Sequence, residues 1–351
     1  MDLDKCYLGD CRDVLRDLAA SGIKAQTCVT SPPYFGLRDY GVDGQIGLES
    51  TPEAYISKMV EVFREVRRVL ADDGTLWLNI GDSYASTAPG TRNSPQIKGS
   101  KSNAEQWANV RPDLREHGIK PKDLIGIPWM LAFALRADGW YLRQDIIWNK
   151  PNPMPESVED RCTKAHEYVF LFSKSPRYLF DADAIKEPAA ASSHARWAQD
   201  VEAQRGSDRV PGKSNGPMKA VGGRSRRDSF KRDDSKRAQA IPGQTAGTHR
   251  EDRPESEWDT AVRNRRSVWT VATTPYSGAH FAVMPEALVE PCILAGSRPG
   301  DIVLDPFMGS GTVAAVAQRL GRRWLGAELN PDYLALQAER TRQGGLCLEI
   351  A

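Results

Sequence analysis

Ser31, Pro32, Pro33 and Tyr34 stand directly after the apolar run Ala25–Val29 and Thr30. The run reads as a buried strand, so the tetrapeptide lies past a strand's carboxyl end, where open α/β sheets bind their ligands. Consecutive prolines fix φ and delete two backbone donors, which leaves a stiff turn whose carbonyls are free to accept hydrogen bonds. An aromatic ring follows at once. A rigid acceptor beside a flat surface suits an exocyclic amino group on a planar base. Taken alone, the tetrapeptide reads more readily as a rigid surface turn.

A second constellation lies near the other end of the chain. The strand Asp301–Asp305 runs into a tight turn, Pro306, Phe307, Met308, Gly309, Ser310, Gly311 and Thr312. A helix over Val313–Leu320 and a strand over Trp324–Glu328 follow, and Glu328 stands 23 residues after Asp305. In such a β-loop-α-β unit the glycines let backbone approach a ligand, and an acid at this distance suits two ribose hydroxyls. The loop has no G-x-G-x-x-G, no Gly-Lys-Ser/Thr and no lysine, so a pyrophosphate or triphosphate is poorly served. A nucleoside with a cationic tail fits better, with Asp305 facing the cation.

These loops need a sheet to carry them. Lys5–Leu8 reads as a strand ending at Gly9 and Asp10, and Val14, Leu15 and Leu18 give Asp13–Ala20 one apolar helical face. Phe35–Ser50, with four glycines and no period, reads as a mobile loop over the site. Thr51 and Pro52 are helix-start residues ahead of an apolar stripe that Asp72, Asp73 and Gly74 close. Thr75–Ile80 is a strand ending at Gly81 and Asp82; Ala85–Lys120 is a polar loop expected to order on binding; Pro121–Ala137 is helical. The strands Trp140–Trp148 and Tyr168–Phe172 have no long helix between them, which predicts an antiparallel pair at a sheet edge. Asn330 is a good cap for the closing helix.

Composition bounds the rest. At 351 residues, 40% hydrophobic and 26% charged, the chain can bury a full core in about two domains. No run of 18 apolar residues occurs and the start is acidic, so no membrane span or signal peptide is read and a cytoplasmic location is expected. Six scattered cysteines without C-x-x-C pairing read as reduced thiols rather than metal ligands. Net charge is +1, but Arg205–Arg237 holds eleven Lys/Arg against four Asp/Glu, leaving the remainder acidic. One basic segment on a mildly acidic body fits a polyanion partner.

Together, Thr30–Tyr34 and Leu304–Thr312 resemble the amino-methylating DNA methyltransferases that use S-adenosyl-L-methionine. The catalytic motif first, the cofactor motif last and a variable segment between resemble their β arrangement. The resemblance covers roughly residues 1–180 and 269–351. It implies a doubly wound α/β fold with a mostly parallel seven-stranded sheet and an inserted, irregular target-recognition region. The implied division is residues 1–180 as the catalytic half, 181–268 as the basic recognition insert and 269–351 as the cofactor-binding half.

Roles carry over by position. Ser31, Pro32, Pro33 and Tyr34 match the catalytic loop, with Thr30 beside the cofactor. Asp305, Pro306, Phe307 and Gly309, Ser310, Gly311 and Thr312 would enclose the methionine portion, and Glu328 the ribose. Asp10 matches the acid that contacts the adenine amino group. His280, Phe281 and Pro285 match the segment bordering the cofactor's carboxylate. Arg224, Arg226, Arg227, Lys231 and Arg232, in the basic insert, would hold DNA phosphates. Serine at the head of the motif points to N4 of cytosine, with N6 of adenine as the alternative and an RNA or protein substrate behind it. The implied partners are double-stranded DNA, a second copy of the chain and a restriction endonuclease acting on the same site.

Three other features read as structural. Pro291 and Cys292 resemble the dipeptide of cytosine-C5 methyltransferases but sit in an apolar helical stretch, in the wrong order relative to the cofactor motif. His166 and Glu167 precede a strand, where an ion-paired or capping role is expected. Asp82 reads as a site-lining residue or as buried scaffolding.

Overall fold

The computed structural model describes residues 1–85, 114–189, 261–273 and 284–342 of the chain. It divides into two units, residues 1–185 with 266–351, and residues 186–265. The larger unit is built on one eight-stranded sheet: β1 (Lys5–Leu8), β2 (Ala25–Thr30), β3 (Leu70–Ile80), β4 (Tyr141–Asn149), β5 (His166–Ser173), β8 (Val268–Thr270), β9 (Ile302–Asp305) and β10 (Arg323–Glu328). Their spatial order is β1-β10-β9-β2-β3-β5-β4-β8. All neighbours pair in parallel except those of β5, which is antiparallel to both β3 and β4.

Alternation along the strands feeds a core on each face. From β3, Leu76, Leu78 and Ile80 enter one cluster while Trp77 enters the other; from β5, Phe170 and Phe172 part from Val169 and Leu171 in the same way. Strands buried on both faces need helices on both, and the chain supplies them. Helices α1 (Cys11–Ala20), α2 (Pro52–Val69) and α3 (Ile127–Ala137) bury their apolar stripes in the first cluster. Helices α4 (Glu286–Gly296) and α5 (Thr312–Arg319) fill the second, and α6 (Asp332–Arg342) closes the chain's described part. The sheet is doubly wound.

Seven strands match the sequence reading, and β8 is the addition. Three residues are too few to show a period, and β8 pairs with β4 through Ile147, Trp148 and Asn149. The β4–β5 pair is therefore not the sheet edge; β8 is. Helix α3 starts at Ile127 rather than at Pro121, because Gly126 sits at φ +87° and the Asp82 carboxylate takes the amides of Gly126 and Ile127. The α2 stripe ends at Val69, and Asp72 and Asp73 fall within β3. Thr51 caps α2 as read, accepting from the Ala54 amide.

In the smaller unit the described residues form one short antiparallel ladder, β6 (Glu187–Pro188) with β7 (Val262–Arg263). Arg263 pairs with Glu187 at 2.9 Å, and the Ala189 amide donates to the Ala261 carbonyl. No described helix is long and apolar enough to cross a membrane.

Candidate active site

Strand direction decides which residues meet. The carboxyl ends of β1, β2, β3, β9 and β10 share one edge of the sheet, and β4 ends there too. Because β5 runs the other way, it brings its first residues, His166 and Glu167, to that edge. A cavity of about 890 Å³ opens there, within the range of ligand pockets. Ser31–Tyr34 line it together with Asp305–Ser310 and Glu328. β2 and β9 are adjacent strands whose connections, through α2 and α5, run in opposite directions along the sheet. The two loops thus flank a topological switch point.

The acceptor loop is held from several sides. Tyr55 donates its hydroxyl to the Pro33 carbonyl at 2.8 Å. The Pro32 carbonyl receives no donor among the described residues. Ser31 Oγ donates towards Tyr34 Oη at 3.5 Å, and Tyr34 donates in turn to Glu167 Oε2 at 2.7 Å. Asn79, from β3, offers its amide to Ser31 Oγ, Tyr34 Oη and Glu167 Oε2 at 3.3, 3.1 and 3.3 Å. Lys150 pairs with Glu167 Oε1 and lies 4.2 Å from the Trp148 ring centroid. A directed chain ending in a carboxylate polarises the serine hydroxyl and strengthens its oxygen as an acceptor. Burial, then the neighbouring Glu167 charge, keeps the Tyr34 phenol protonated well beyond its ordinary range. Its ring lies against Gly81, where a β-carbon would come within 2.6 Å of Tyr34 Cε2.

The loop after β9 is an acidic cradle. Asp305, 2% exposed, accepts from Thr30 Oγ1 at 2.6 Å and from the Phe307 amide at 3.0 Å. Burial, with Glu328 nearby, raises its carboxyl to about 7 against these two donors. Glu328 accepts from the amides of Gly309 and Asn330, both at 2.8 Å, and burial raises its carboxyl as well. Gly309 and Gly311 take φ +52° and +83°, a backbone that side chains disfavour. Gln337 holds the Gly309 carbonyl, and Arg340 bonds the hydroxyls of Ser310 and Thr312. A buried and a half-buried carboxylate with the apolar Phe307 suit a nucleoside carrying a positive centre, and suit a polyphosphate poorly.

Other predicted residues fall out unevenly. Asp10 lines the cavity and caps α1, yet Arg12 occupies both its oxygens, Oδ1 at 2.8 Å and Oδ2 at 2.6 Å. Pro285 is buried at the start of α4, and its neighbour Met284, rather than Pro285 itself, lines the cavity. His280, Phe281, Arg224, Arg226, Arg227, Lys231 and Arg232 lie outside the described residues, as does most of Ala85–Lys120. Phe35–Ser50 has neither helix nor strand and borders the cavity, but Phe35 and Ile46 are buried and Gly36 donates to Gly47. Cys292 is a core thiol, 2% exposed. Nothing in the sequence marks Asn79, Gly81 or Lys150 as site residues. Glu167 was expected to be ion-paired and is, but within the site.

An acceptor loop and an acidic cofactor cradle at one switch point define a group-transfer enzyme with a nucleoside cofactor. The DNA methylase family model (N6_N4_Mtase) matches residues 25–340. Type II methyltransferase M.Cfr9I of Citrobacter freundii is 44% identical over 334 residues, covering 95% of this chain and 86% of that one. The chain therefore belongs to the amino-methylating DNA methylases, the S-adenosylmethionine-dependent family its two motifs resemble. Two solved structures share the fold. One is the PvuII DNA methyltransferase, described as cytosine-N4-specific, with TM-score 0.54 and 18% identity over 96% of this chain and 85% of that one. The other is TTHA0409 of Thermus thermophilus, a putative DNA modification methylase complexed with S-adenosyl-L-methionine, with TM-score 0.52 and 21% identity over 98% and 95%.

Proposed function

We infer that this DNA methyltransferase methylates the exocyclic N4 amino group of a cytosine flipped out of duplex DNA. The observation that carries the reading is the Ser31–Tyr34–Glu167 chain, beside a Pro32 carbonyl that takes no donor among the described residues. An exocyclic amine is a weak nucleophile because its lone pair is delocalised into the ring. Ser31 Oγ and the Pro32 carbonyl would each accept one amine proton, which favours a pyramidal nitrogen with a localised pair.

S-adenosyl-L-methionine supplies an electrophilic methyl on a sulfonium. Asp305 would face that positive centre, Pro306, Phe307 and Gly309–Thr312 would enclose the methionine portion, and Glu328 would meet the ribose. With both reactants held by a rigid edge, alignment supplies much of the rate. After transfer the nitrogen is cationic and gives up a proton without a strong base. Tyr34 would stack on the flipped base. Residues 1–180 and 269–351 form the two halves of the catalytic domain, and 181–268 is the recognition insert. The enzyme works on DNA in the cytoplasm, alongside a nuclease that cuts the same site unless it is methylated.

Serine at the motif's head favours cytosine over adenine. Digesting enzyme-treated DNA to nucleosides and identifying the product by mass spectrometry tests this. N4-methylcytosine is expected, and N6-methyladenine would overturn the choice of base. In a second assay offering radiolabelled cofactor with duplex DNA, RNA and protein, label only in RNA or protein would overturn the substrate.

A further inference from the structure

The loop between β4 and β5 is braced throughout yet bare at one point. The Lys150 amide donates to the Ala165 carbonyl at 2.8 Å, closing its base. Asn152 holds the amide and carbonyl of Thr273, at 2.9 and 3.1 Å. Arg161 pairs with Glu156 at 2.7 Å and lies 4.1 Å from the Tyr84 ring centroid. Between these fixings stands Met154, which lines the same cavity as Ser31 and Tyr34 while remaining 82% exposed. No other large apolar side chain among the described residues is as exposed.

Local sequence fixes how Met154 is presented. Pro151, Pro153 and Pro155 alternate with Asn152 and Met154. A residue before proline is restricted to extended backbone, so Met154 is held out with little conformational freedom left to lose. The flanking prolines also remove two backbone donors, which leaves an apolar tip with few groups needing water. A base that reaches Ser31 must leave its stack, and the vacancy lies at the mouth of the cavity that receives it. Methionine is unbranched and adaptable, and apolar side chains of this kind wedge between base steps.

Resting on the DNA substrate inferred above, we propose that Met154 is the wedge that enters the duplex where the target base has left it. The occupant of this apolar tip is the base stack beside the target.

The test uses the full-length enzyme on oligonucleotide duplexes carrying the methylated site, once the wild type has mapped it. One duplex pairs the target base normally; the other places it opposite an abasic position, so little stacking and no pairing must be broken. Met154→Ala should lower kcat/KM about ten-fold or more on the paired duplex, since losing 1.4 kcal/mol of flipping energy suffices. On the abasic duplex it should fall less than about three-fold, and Met154→Leu should restore the paired duplex. Equal losses on both duplexes, or no loss on the paired one, overturn the wedge. A wild type that methylates no DNA, leaving no site to map, overturns the DNA reading along with it.

Discussion

Thr30 Oγ1 donates a 2.6 Å hydrogen bond to Asp305 Oδ1, joining residues 275 positions apart. The last residue of β2 precedes the acceptor loop, and the last residue of β9 opens the cofactor cradle, so this bond fixes one loop against the other. Thr30→Val keeps the shape and removes the donor. A buried carboxylate left short of a partner should cost about 1–3 kcal/mol in denaturant unfolding. Binding of S-adenosylmethionine should weaken alongside, and Thr30→Ser should recover both.

Gly81 leaves room for the Tyr34 ring and nothing more. In Gly81→Ala the new β-carbon would meet Tyr34 Cε2 at 2.6 Å, so the ring must shift. Methyl transfer should fall about a hundred-fold, the scale seen when a reacting geometry moves by an ångström. The cofactor cradle is separate, so calorimetric binding of S-adenosylmethionine should hold. Unchanged turnover would show that the ring's position does not matter.

Glu167 closes the chain of donors that starts at Ser31. Glu167→Gln keeps the volume and removes the charge that Tyr34, Asn79 and Lys150 all address. The expected result is a kcat lowered roughly ten- to hundred-fold with KM for DNA little changed, the signature of an interaction used in the transition state. Glu167→Asp should recover part of it. A rise in KM alone would instead place Glu167 in ground-state binding.

The Asp305 carboxyl is raised to about 7, first by burial and then by Glu328. The folded chain therefore holds this proton more tightly than the unfolded one. Its contribution to stability is complete below the ordinary carboxylate range and is lost as pH rises through about 7. A bound sulfonium favours the ionised form, so cofactor affinity should run the opposite way and weaken as pH falls through about 7. Titration calorimetry across that range should show the slope in the wild type, and Glu328→Gln should move it to lower pH. Asp305→Asn should bind weakly and without it.

The basic segment is testable by salt alone. Neutralising Arg224, Arg226 and Arg227 should weaken DNA binding and flatten log K against log salt by about one unit per lost phosphate contact. An unchanged slope would reduce the segment to a solvated linker.

Much of the sheet was legible because its strands are short apolar runs stopped by loop residues. Ser31–Tyr34 and Gly309–Thr312 could be read as site loops because each follows its own strand directly, and a carboxyl end is a local property. Glu167 reaches the same edge only because β5 is reversed, and the direction of a strand is set by its pairing rather than by its residues. Lys150, just past the carboxyl end of β4, gains its place by pairing with Glu167. Gly81 carries no mark of its own in the sequence for a related reason, since its importance lies in an aromatic ring from the loop after β2. The start of α3 is not a local property either, because Asp82, 44 positions before Gly126, caps it. Tertiary partners decided each of these points.

The ladder of β6 and β7 puts Pro188 opposite Val262, so some seventy intervening residues leave and rejoin the chain at one place. A segment with touching ends can be lengthened, shortened or exchanged at slight entropic cost to its host, because closure depends only weakly on length. On the recognition role proposed for this segment, the ladder would serve as a splice point, where the choice of DNA sequence could change while the chemistry stays constant. Segments exchanged there would leave the residues of the catalytic edge unchanged.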